Sequence, residues 1–238
     1  MTVSEGPISP FAKIFKSSAV MGAATLLSRV LGLVREQLLA AVFGASGLTD
    51  AFWVAYRIPN LLRDLFAEGS FSAAFVPIFT EEKEKARNRA ISLLWSMFVL
   101  LGITTIFISC LTIIFAPNIL ELIAPNFLDA PKKFEITVML IRIMAPFLTL
   151  VSIAALFMGA LNTEKIFFLP ALAPAFFNVA MILCILFLPN FFKSLSIPGI
   201  YALGIGVILG GTLQVIFQFP ILLRKGIGPR GPIKIFSK

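Results

Sequence analysis

Four long stretches of the chain contain no charged residue and consist mainly of aliphatic and aromatic side chains. They are residues 90–120, 143–163, 166–192 and 194–223. A helix needs about 20 mainly apolar residues to cross a bilayer, because the hydrocarbon core is about 30 Å thick and each helical residue rises about 1.5 Å. Each stretch is therefore predicted to form a membrane-spanning helix.

Two earlier segments are apolar on balance but carry charges. The first, residues 11–43, contains Arg29, Arg35 and Glu36, and the second, residues 51–80, contains Arg57, Arg63, Asp64 and Glu68. Charged side chains inside a membrane usually face protein or a water-filled cavity rather than lipid. We predict two further spans, each with one side turned away from lipid, and we expect Pro59 to break the second helix in its middle.

The predicted fold class is an all-α integral membrane protein. Residues 1–223 are predicted to form one lobe, a bundle of six transmembrane helices, followed by a basic cytoplasmic tail at 224–238. The predicted spans are about 11–43, 51–80, 90–116, 136–161, 166–188 and 199–223. In the last span, Ala202, Gly206 and Gly210 form a row of small residues that predicts close packing against another helix and is also a candidate contact between copies of the chain.

The composition supports a lipid environment and argues against catalysis. Hydrophobic residues make up 58% of the chain and charged residues 13%, whereas soluble domains are about 45–50% apolar and about 25% charged. The chain has no His, which excludes a Ser-His-Asp triad. Its Cys110 and Cys184 lie in separate apolar runs and do not have metal-ligand spacing. We expect no enzymatic activity, no metal and no cofactor.

The distribution of Lys and Arg predicts the orientation. With the N-terminus in the cytoplasm, the outside segments hold only Lys132, Lys133 and Lys193, and the other basic residues between spans lie inside. Basic residues concentrate on the cytoplasmic side of membrane proteins, so both termini are predicted to be cytoplasmic. The same distribution explains the net charge of +8 without a nucleic-acid partner.

The polar residues of the first two spans fall on one side of each helix. On helical wheels these arcs include Ser28, Arg29, Arg35 and Glu36 in the first span, and Asp50, Arg57, Asn60, Arg63, Asp64 and Glu68 in the second. This arrangement favours two helices that line the same interior. Guanidinium groups match phosphate oxygens in pairs, and such contacts are stronger in a low-dielectric cavity. The pattern predicts a cationic, membrane-embedded cavity for an amphipathic, phosphate-bearing substrate.

A simpler interpretation applies to several of these charges. They could reach the interface or be neutralised by neighbours, with Arg57 beside Asp50 and Glu36 beside Arg29 as candidate pairs. Asp50 could also lie in the first turn of the next helix, where a carboxylate interacts favourably with the helix dipole.

Two segments resemble a known family closely. SRVLGLVRE at 28–36, and FGASGLTDAFWVAYRIPNLLRDLFAEGSFSAAFVPIF at 43–79, are similar to the opening of the MurJ (MviN) lipid II flippases, members of the multidrug/oligosaccharidyl-lipid/polysaccharide exporter superfamily. LPALAPAFFNVAMI at 169–182 resembles the family's fifth span. The resemblance implies the N-terminal lobe of a two-lobe, fourteen-helix exporter fold, in the bacterial inner (plasma) membrane.

The resemblance also implies a function and a site. Family members carry lipid-linked peptidoglycan precursor to the outer leaflet by alternating access, with cavity arginines holding the pyrophosphate. The matching substrate-binding positions are Arg29, Arg35, Asp50 and Arg63, and the candidate cavity-lining positions are Ser28, Glu36, Asn60 and Glu68. The family has Asp at the position of Glu36 and a basic residue at the position of Asp64. The expected partners are a lipid-linked pyrophosphate substrate, membrane lipid, and either a second transmembrane lobe or another copy of the chain.

Two other functions stay open. One is export of drugs or polysaccharide-linked lipids by another branch of the superfamily, which the motifs around Arg29 and Glu68 disfavour. The other is a membrane subunit that binds lipid or packs against a partner without transporting anything.

Overall fold

The computed structural model describes residues 10–44, 47–63 and 70–229. Within these ranges all regular secondary structure is helical. The helices are α1 (Pro10–Phe43), α2 (Gly47–Arg63), α3 (Ser70–Lys85), α4 (Arg87–Ile114), α5 (Ala116–Ile123), α6 (Pro131–Met144), α7 (Phe147–Thr163), α8 (Phe168–Ser194) and α9 (Tyr201–Arg224). A short 3-10 helix, Pro125–Phe127, lies between α5 and α6.

Four helical segments in the described part of the chain are long and apolar enough to cross a membrane. They are Arg87–Ile114, Pro131–Thr163, Phe168–Ser194 and Tyr201–Arg224. Each contains most or all of one of the four uncharged stretches in the sequence, so these four predicted spans are confirmed as helices. The helical class of the fold is confirmed with them.

The second predicted span differs from expectation in two ways. It contains the end of one helix and the start of another, since α2 ends at Arg63 and α3 begins at Ser70; residues 64–69 lie outside the described ranges. Pro59 was expected to break the helix, but α2 continues through it. Proline removes one backbone N–H and favours a kink, and a helix can continue beyond it when the surrounding packing holds the next turn.

The fourth predicted span, 136–161, is helical on both sides of a break that the sequence analysis did not anticipate. α6 ends at Met144 and α7 begins at Phe147, so Pro146 lies at the break. Proline has no backbone N–H, and at this position between two helices no helical hydrogen bond requires one. The hydroxyl of Ser109 on α4 donates a hydrogen bond of 2.9 Å to the Ala145 carbonyl. The same carbonyl also accepts from the N–H of Leu148 at 3.3 Å, so the Ser109 hydroxyl adds a second, interhelical hydrogen bond at the break.

The small-residue row packs as predicted, and its partner is α8. A Cβ atom built on Gly206 would lie 2.7 Å from the Met181 sulfur, and one on Gly210 would lie 2.5 Å from a Phe177 ring carbon. The glycines therefore allow a close approach of α8 and α9 that larger residues would prevent. Because the row is buried inside the lobe, it is not available as a contact between copies, and that expectation was wrong.

Two apolar clusters occupy successive parts of α7 and α9. The first contains Phe147, Val151 and Leu203 and extends to α2, α5 and α6. The second contains Phe157 and Leu222 and extends to α3 and α4. Large apolar side chains of α4 lie on the outer surface, among them Ile103, Ile106, Phe107 and Ile114. An apolar exterior of this kind is what a bundle in lipid requires.

The chain that follows α9 packs back onto α4. Gly226 adopts a positive φ of 71°, and the N–H of Ile227 donates to the Leu222 carbonyl at 3.0 Å, a helix-ending geometry that favours glycine. The Ile227 side chain is buried, and the Trp95 indole donates to the Ile227 carbonyl at 3.0 Å. The predicted tail therefore begins with an ordered segment, while residues 230–238 lie outside the described ranges.

Candidate functional site

Arg35 lies where α1 meets α8. The face of α1 that contacts the bundle contains Ala24, Ser28 and Leu39, all buried, and it coincides with part of the predicted polar arc. Gly32 lies on the same face, where an added Cβ would be 3.5 Å from the amide nitrogen of Asn178. This distance is an ordinary van der Waals contact, so α1 and α8 lie side by side here and Arg35, one turn further along α1, reaches Asn178.

Asn178 connects two turns of α1. Its Oδ1 accepts a hydrogen bond of 3.0 Å from Nη1 of Arg35, and its Nδ2 donates one of 3.0 Å to the carbonyl of Ser28. The Asn178 residue is 6% exposed, so it satisfies both hydrogen bonds inside the bundle. The amide thereby positions the Arg35 guanidinium.

Arg35 also contacts a carboxylate. Its Nη2 lies 3.2 Å from Oε1 of Glu36, and the two side chains are 17% and 56% exposed. The pair expected between Glu36 and Arg29 is thus replaced by one with Arg35. A guanidinium has five N–H donors, and these two contacts use only part of that capacity. Arg35 can therefore donate to a further acceptor without releasing Asn178.

A cavity of about 380 Å³ opens beside Arg35. Its wall is formed by residues from five helices: Gly32, Arg35, Tyr56, Asn60, Phe147, Val151, Ala154, Ala155, Met158, Pro170, Ala173, Pro174, Phe177, Asn178, Gln214 and Gln218. Arg35 is the charged residue among the lining residues that the structure describes. The α7 wall is mainly apolar, whereas α2, α8 and α9 contribute amides.

Two prolines of α8 add backbone polarity to the same wall. Pro170 and Pro174 both line the cavity. Pro174 lacks the N–H that would bond to the carbonyl four residues earlier, which is the carbonyl of Pro170. Their position places this irregularity of the α8 backbone at the cavity.

The predicted site residues do not all meet in this cavity. Arg35 and Asn60 line it, and Ser28 adjoins it through its backbone contact with Asn178. Arg29 is exposed on α1 and is not among the lining residues, and Glu36 reaches the cavity only through its ion pair with Arg35. The structure does not describe the side chain of Arg63, and Glu68 lies outside the described ranges.

Asp50 lies at a different place in the lobe. It occupies the first turn of α2, as the dipole interpretation of the sequence anticipated, and its Oδ2 lies 3.2 Å from Nζ of Lys133 on α6. The same ammonium lies 4.0 Å from the centre of the Phe127 ring. Asp50 therefore pairs with Lys133 rather than with the expected Arg57, and the contact joins α2 to α6.

Sequence reasoning missed the amides opposite Arg35. Asn178, Gln214 and Gln218 line the cavity but lie in stretches without charge, which were interpreted as plain spans. A signal was present, since Gln214 and Gln218 are four residues apart in a helix of otherwise apolar character and so share one face. Amides inside a membrane helix usually form hydrogen bonds with another helix or with a ligand.

The helices and the cavity define a multi-pass α-helical membrane protein with a polar cavity inside its bundle. A family model described as "Lipid II flippase MurJ" matches residues 39–237. The chain therefore belongs to the MurJ lipid II flippase family, and the resemblance seen in the sequence is confirmed.

Individual relatives agree. A probable lipid II flippase MurJ of Buchnera aphidicola subsp. Acyrthosiphon pisum is 40% identical over 203 residues, which are 84% of this chain and 39% of the relative. The lipid II flippase MurJ of Burkholderia cenocepacia is 42% identical over 217 residues, covering 91% of this chain and 41% of the relative. The chain thus spans about two fifths of the length of these relatives.

A solved structure has the same fold. The lipid II flippase MurJ in an inward closed conformation matches with a TM-score of 0.71 and 27% sequence identity, over 91% of this chain and 44% of the other. The match confirms that the chain has the fold of part of this exporter.

Proposed function

We propose that this chain is the N-terminal lobe of a lipid II flippase, which moves lipid-linked peptidoglycan precursor from the cytoplasmic to the outer leaflet of the bacterial inner membrane. The observation that carries the proposal is Arg35, a 17% exposed arginine beside a cavity inside an apolar bundle. A cation in this position is costly in a membrane protein unless it serves an anionic ligand or a wet cavity. The action is transport and includes no chemical reaction on the substrate.

Arg35 is proposed to bind the pyrophosphate of the substrate. Asn178 orients the guanidinium, and the remaining N–H donors can contact phosphate oxygens in the paired geometry that arginine favours. An ionised phosphate oxygen accepts a stronger hydrogen bond from a guanidinium than a neutral amide does, so the free N–H groups of Arg35 can bind phosphate while Asn178 keeps its contact. Arg29, Asp50 and Arg63 remain proposed substrate-binding residues, with Ser28, Glu36, Asn60 and Glu68 as proposed lining residues.

The cavity is proposed to hold only part of the substrate. Its volume of about 380 Å³ is near the lower end of the range of about 300–1,000 Å³ that is typical of small-molecule sites. A lipid-linked glycopeptide is larger than that. We infer that a second transmembrane lobe completes the binding site, and that rocking of the two lobes exposes it to each side in turn.

The membrane arrangement follows the sequence prediction. We propose six spans in a lobe at 1–223, with both termini in the cytoplasm and a basic tail from 224. The apolar surface of α4 and the four span-length segments support four of these spans, and the distribution of Lys and Arg supports the orientation.

Complementation tests the proposal. A MurJ relative whose N-terminal lobe is replaced by this chain should sustain growth of cells depleted of their own flippase. Arg35→Ala in that chimera should abolish growth, whereas Arg35→Lys should restore it only in part, because an ammonium lacks paired donors.

Arg224→Ala provides the control, since Arg224 is exposed in the last turn of α9 and lies away from the cavity. It should complement like the parent chimera, and membrane abundance should be equal for all variants. Normal growth with Arg35→Ala would contradict the proposed role of the arginine. Failure of the parent chimera despite normal abundance would favour a subunit that does not transport.

A further inference from the structure

Gln218, a residue of the cavity wall, has a buried acceptor atom without a partner within the described ranges. The residue lies on α9, is 2% exposed, and lines the same cavity as Arg35. Its Nε2 donates a hydrogen bond of 3.0 Å to the Gln214 carbonyl. Its Oε1 is buried and has no hydrogen-bond partner in the described part of the chain.

The orientation of this amide is determined by its neighbour. A glutamine amide has one donor end and one acceptor end. The Gln214 carbonyl can only accept, so rotating the amide by half a turn would place two oxygens against each other and lose the hydrogen bond. The unpaired end is therefore the oxygen, and the missing group is a donor.

Buried polar atoms in proteins are nearly always hydrogen bonded, and an unpaired one lowers stability. Since the residue that carries this unpaired acceptor lines the cavity, the acceptor points to a ligand that brings an O–H or N–H group. Neither the polyprenyl chain nor an ionised pyrophosphate carries such a donor. In a lipid-linked precursor these groups are found in the attached sugars and peptide.

We propose that Gln218 accepts a hydrogen bond from an O–H or N–H group of the sugar attached to the pyrophosphate, and thereby distinguishes glycosylated from bare polyprenyl pyrophosphate. The inference rests on the proposed function, since it places the pyrophosphate at Arg35. The two side chains line one cavity from α1 and α9. Arg35 binds the pyrophosphate, which both lipids have, and Gln218 binds the sugar, which only the glycosylated lipid has.

Binding measurements on the full chain in lipid nanodiscs test this assignment. The two probes are polyprenyl pyrophosphate and polyprenyl pyrophosphate carrying a single N-acetylhexosamine. Gln218→Met keeps the length of the side chain and removes its amide. It should weaken binding of the glycosylated lipid about tenfold, the effect of one hydrogen bond in a buried site, and leave binding of the bare lipid unchanged. The ratio of the two affinities is the diagnostic quantity, because a loss of folded protein lowers both equally.

Ser152→Ala is the matched control. Ser152 is 1% exposed and its hydroxyl also has no partner among the described residues, but it is not part of the cavity wall. The affinity ratio should stay at the parental value in this variant.

The outcomes separate the two proposals. If Arg35→Ala weakens both lipids and Gln218→Met leaves the ratio unchanged, the phosphate site stands and the sugar contact is wrong; this is also the result expected if water alone satisfies Oε1. If neither lipid binds, or if binding does not respond to Arg35→Ala, the proposed function fails and the sugar contact fails with it.

Discussion

Arg35 on α1 donates a hydrogen bond of 3.0 Å to Oδ1 of Asn178 on α8. The other end of the same amide donates to the carbonyl of Ser28, two turns earlier on α1. Asn178 therefore fixes the position of α1 along α8 as well as the direction of the guanidinium. A ligand that draws Arg35 away from Asn178 would loosen one of these two attachments, and so would couple substrate binding to the packing of α1.

A carboxylate at position 178 should block the site without unfolding the lobe. Asn178→Asp keeps an acceptor beside Arg35 and replaces the neutral amide oxygen with a charged carboxylate oxygen, which binds the guanidinium more strongly, although it loses the donation to the Ser28 carbonyl. The guanidinium would then be neutralised before a phosphate reaches it. We expect at least tenfold weaker binding of polyprenyl pyrophosphate with protein abundance near normal, measured in nanodiscs.

Asn178→Leu serves as the comparison. It removes the acceptor for Arg35 as well as the donor to the Ser28 carbonyl, whereas the Asp variant loses only the donor, so Leu should cost about 1–3 kcal/mol more stability. Thermal unfolding in detergent should therefore separate the two variants, with Leu the less stable. Unchanged phosphate binding in the Asp variant would show that Arg35 does not contact the pyrophosphate.

Gly210 should tolerate no side chain. A Cβ there would lie 2.5 Å from the Phe177 ring, and Phe177 is itself part of the cavity wall. Gly210→Ala is expected to force α8 and α9 apart, at a cost of about 1–3 kcal/mol, and to lower the midpoint of thermal unfolding.

The matched substitution is Gly102→Ala in α4. A Cβ at Gly102 would meet nothing within 4 Å, and alanine favours a helix over glycine by about 1 kcal/mol. This variant should be as stable as the parent or more stable. Equal destabilisation by both substitutions would mean that the close packing of α8 and α9 has no special role.

Asp50 should contribute little to stability through its contact with Lys133. The Asp50 side chain is 67% exposed, and exposed ion pairs contribute about 0–1 kcal/mol. Asp50→Asn should therefore unfold at nearly the parental temperature. If Asp50 acts in transport, as the family resemblance implies, the same variant should fail to complement despite this stability. A large drop in the unfolding temperature would instead assign Asp50 a structural role.

The fold was predictable where apolar runs are long and without charge. Most of 166–192 and of 194–223 forms the helices α8 and α9, since a helix satisfies its own backbone in lipid. The interruption at Pro146 was not anticipated, although the proline is visible in the sequence. Whether a proline ends a helix depends on the surrounding contacts, here the Ser109 hydroxyl on the Ala145 carbonyl, and α2 shows the opposite outcome at Pro59.

The candidate site was predictable only in part, because charge marks a residue in the sequence and a neutral amide does not. Arg35 stood out within an apolar segment and does line the cavity. Asn178 and Gln218 lie far from it along the chain, and only the packing of α8 between α1 and α9 brings them together. A helical wheel places Arg29 and Arg35 in the same polar arc and cannot show which of them contacts the bundle. The position of α8 decides that Arg35 contacts Asn178 and that Arg29 is exposed.

The orientation predicts a pattern for fusion reporters. A reporter that matures only outside the cytoplasm should be active when fused near residues 47, 128 or 193, and inactive near 85, 164 or 232. The reason is the concentration of Lys and Arg in the segments assigned to the cytoplasm. Fusions of this kind are measured in intact cells, with protein abundance as the control. The opposite activity at two or more positions would overturn the six-span arrangement.

Reconstituted by itself, this 238-residue chain should bind polyprenyl pyrophosphate that carries an N-acetylhexosamine but should not flip it. Alternating access requires one bundle to rock against another around a shared site, and the cavity beside Arg35 is bounded by helices of a single bundle. Arg29 is exposed on the same helix, and an arginine facing lipid is unfavourable, so this side of α1 should be covered by a second lobe or by another copy.

The sidedness of a labelled lipid in liposomes measures flipping, and the mass of the purified assembly measures the number of copies. The Arg35→Ala chain, which should lose binding, is the control. Rapid flipping by a demonstrated monomer would show that one bundle provides both walls of the path and would overturn the half-transporter proposal.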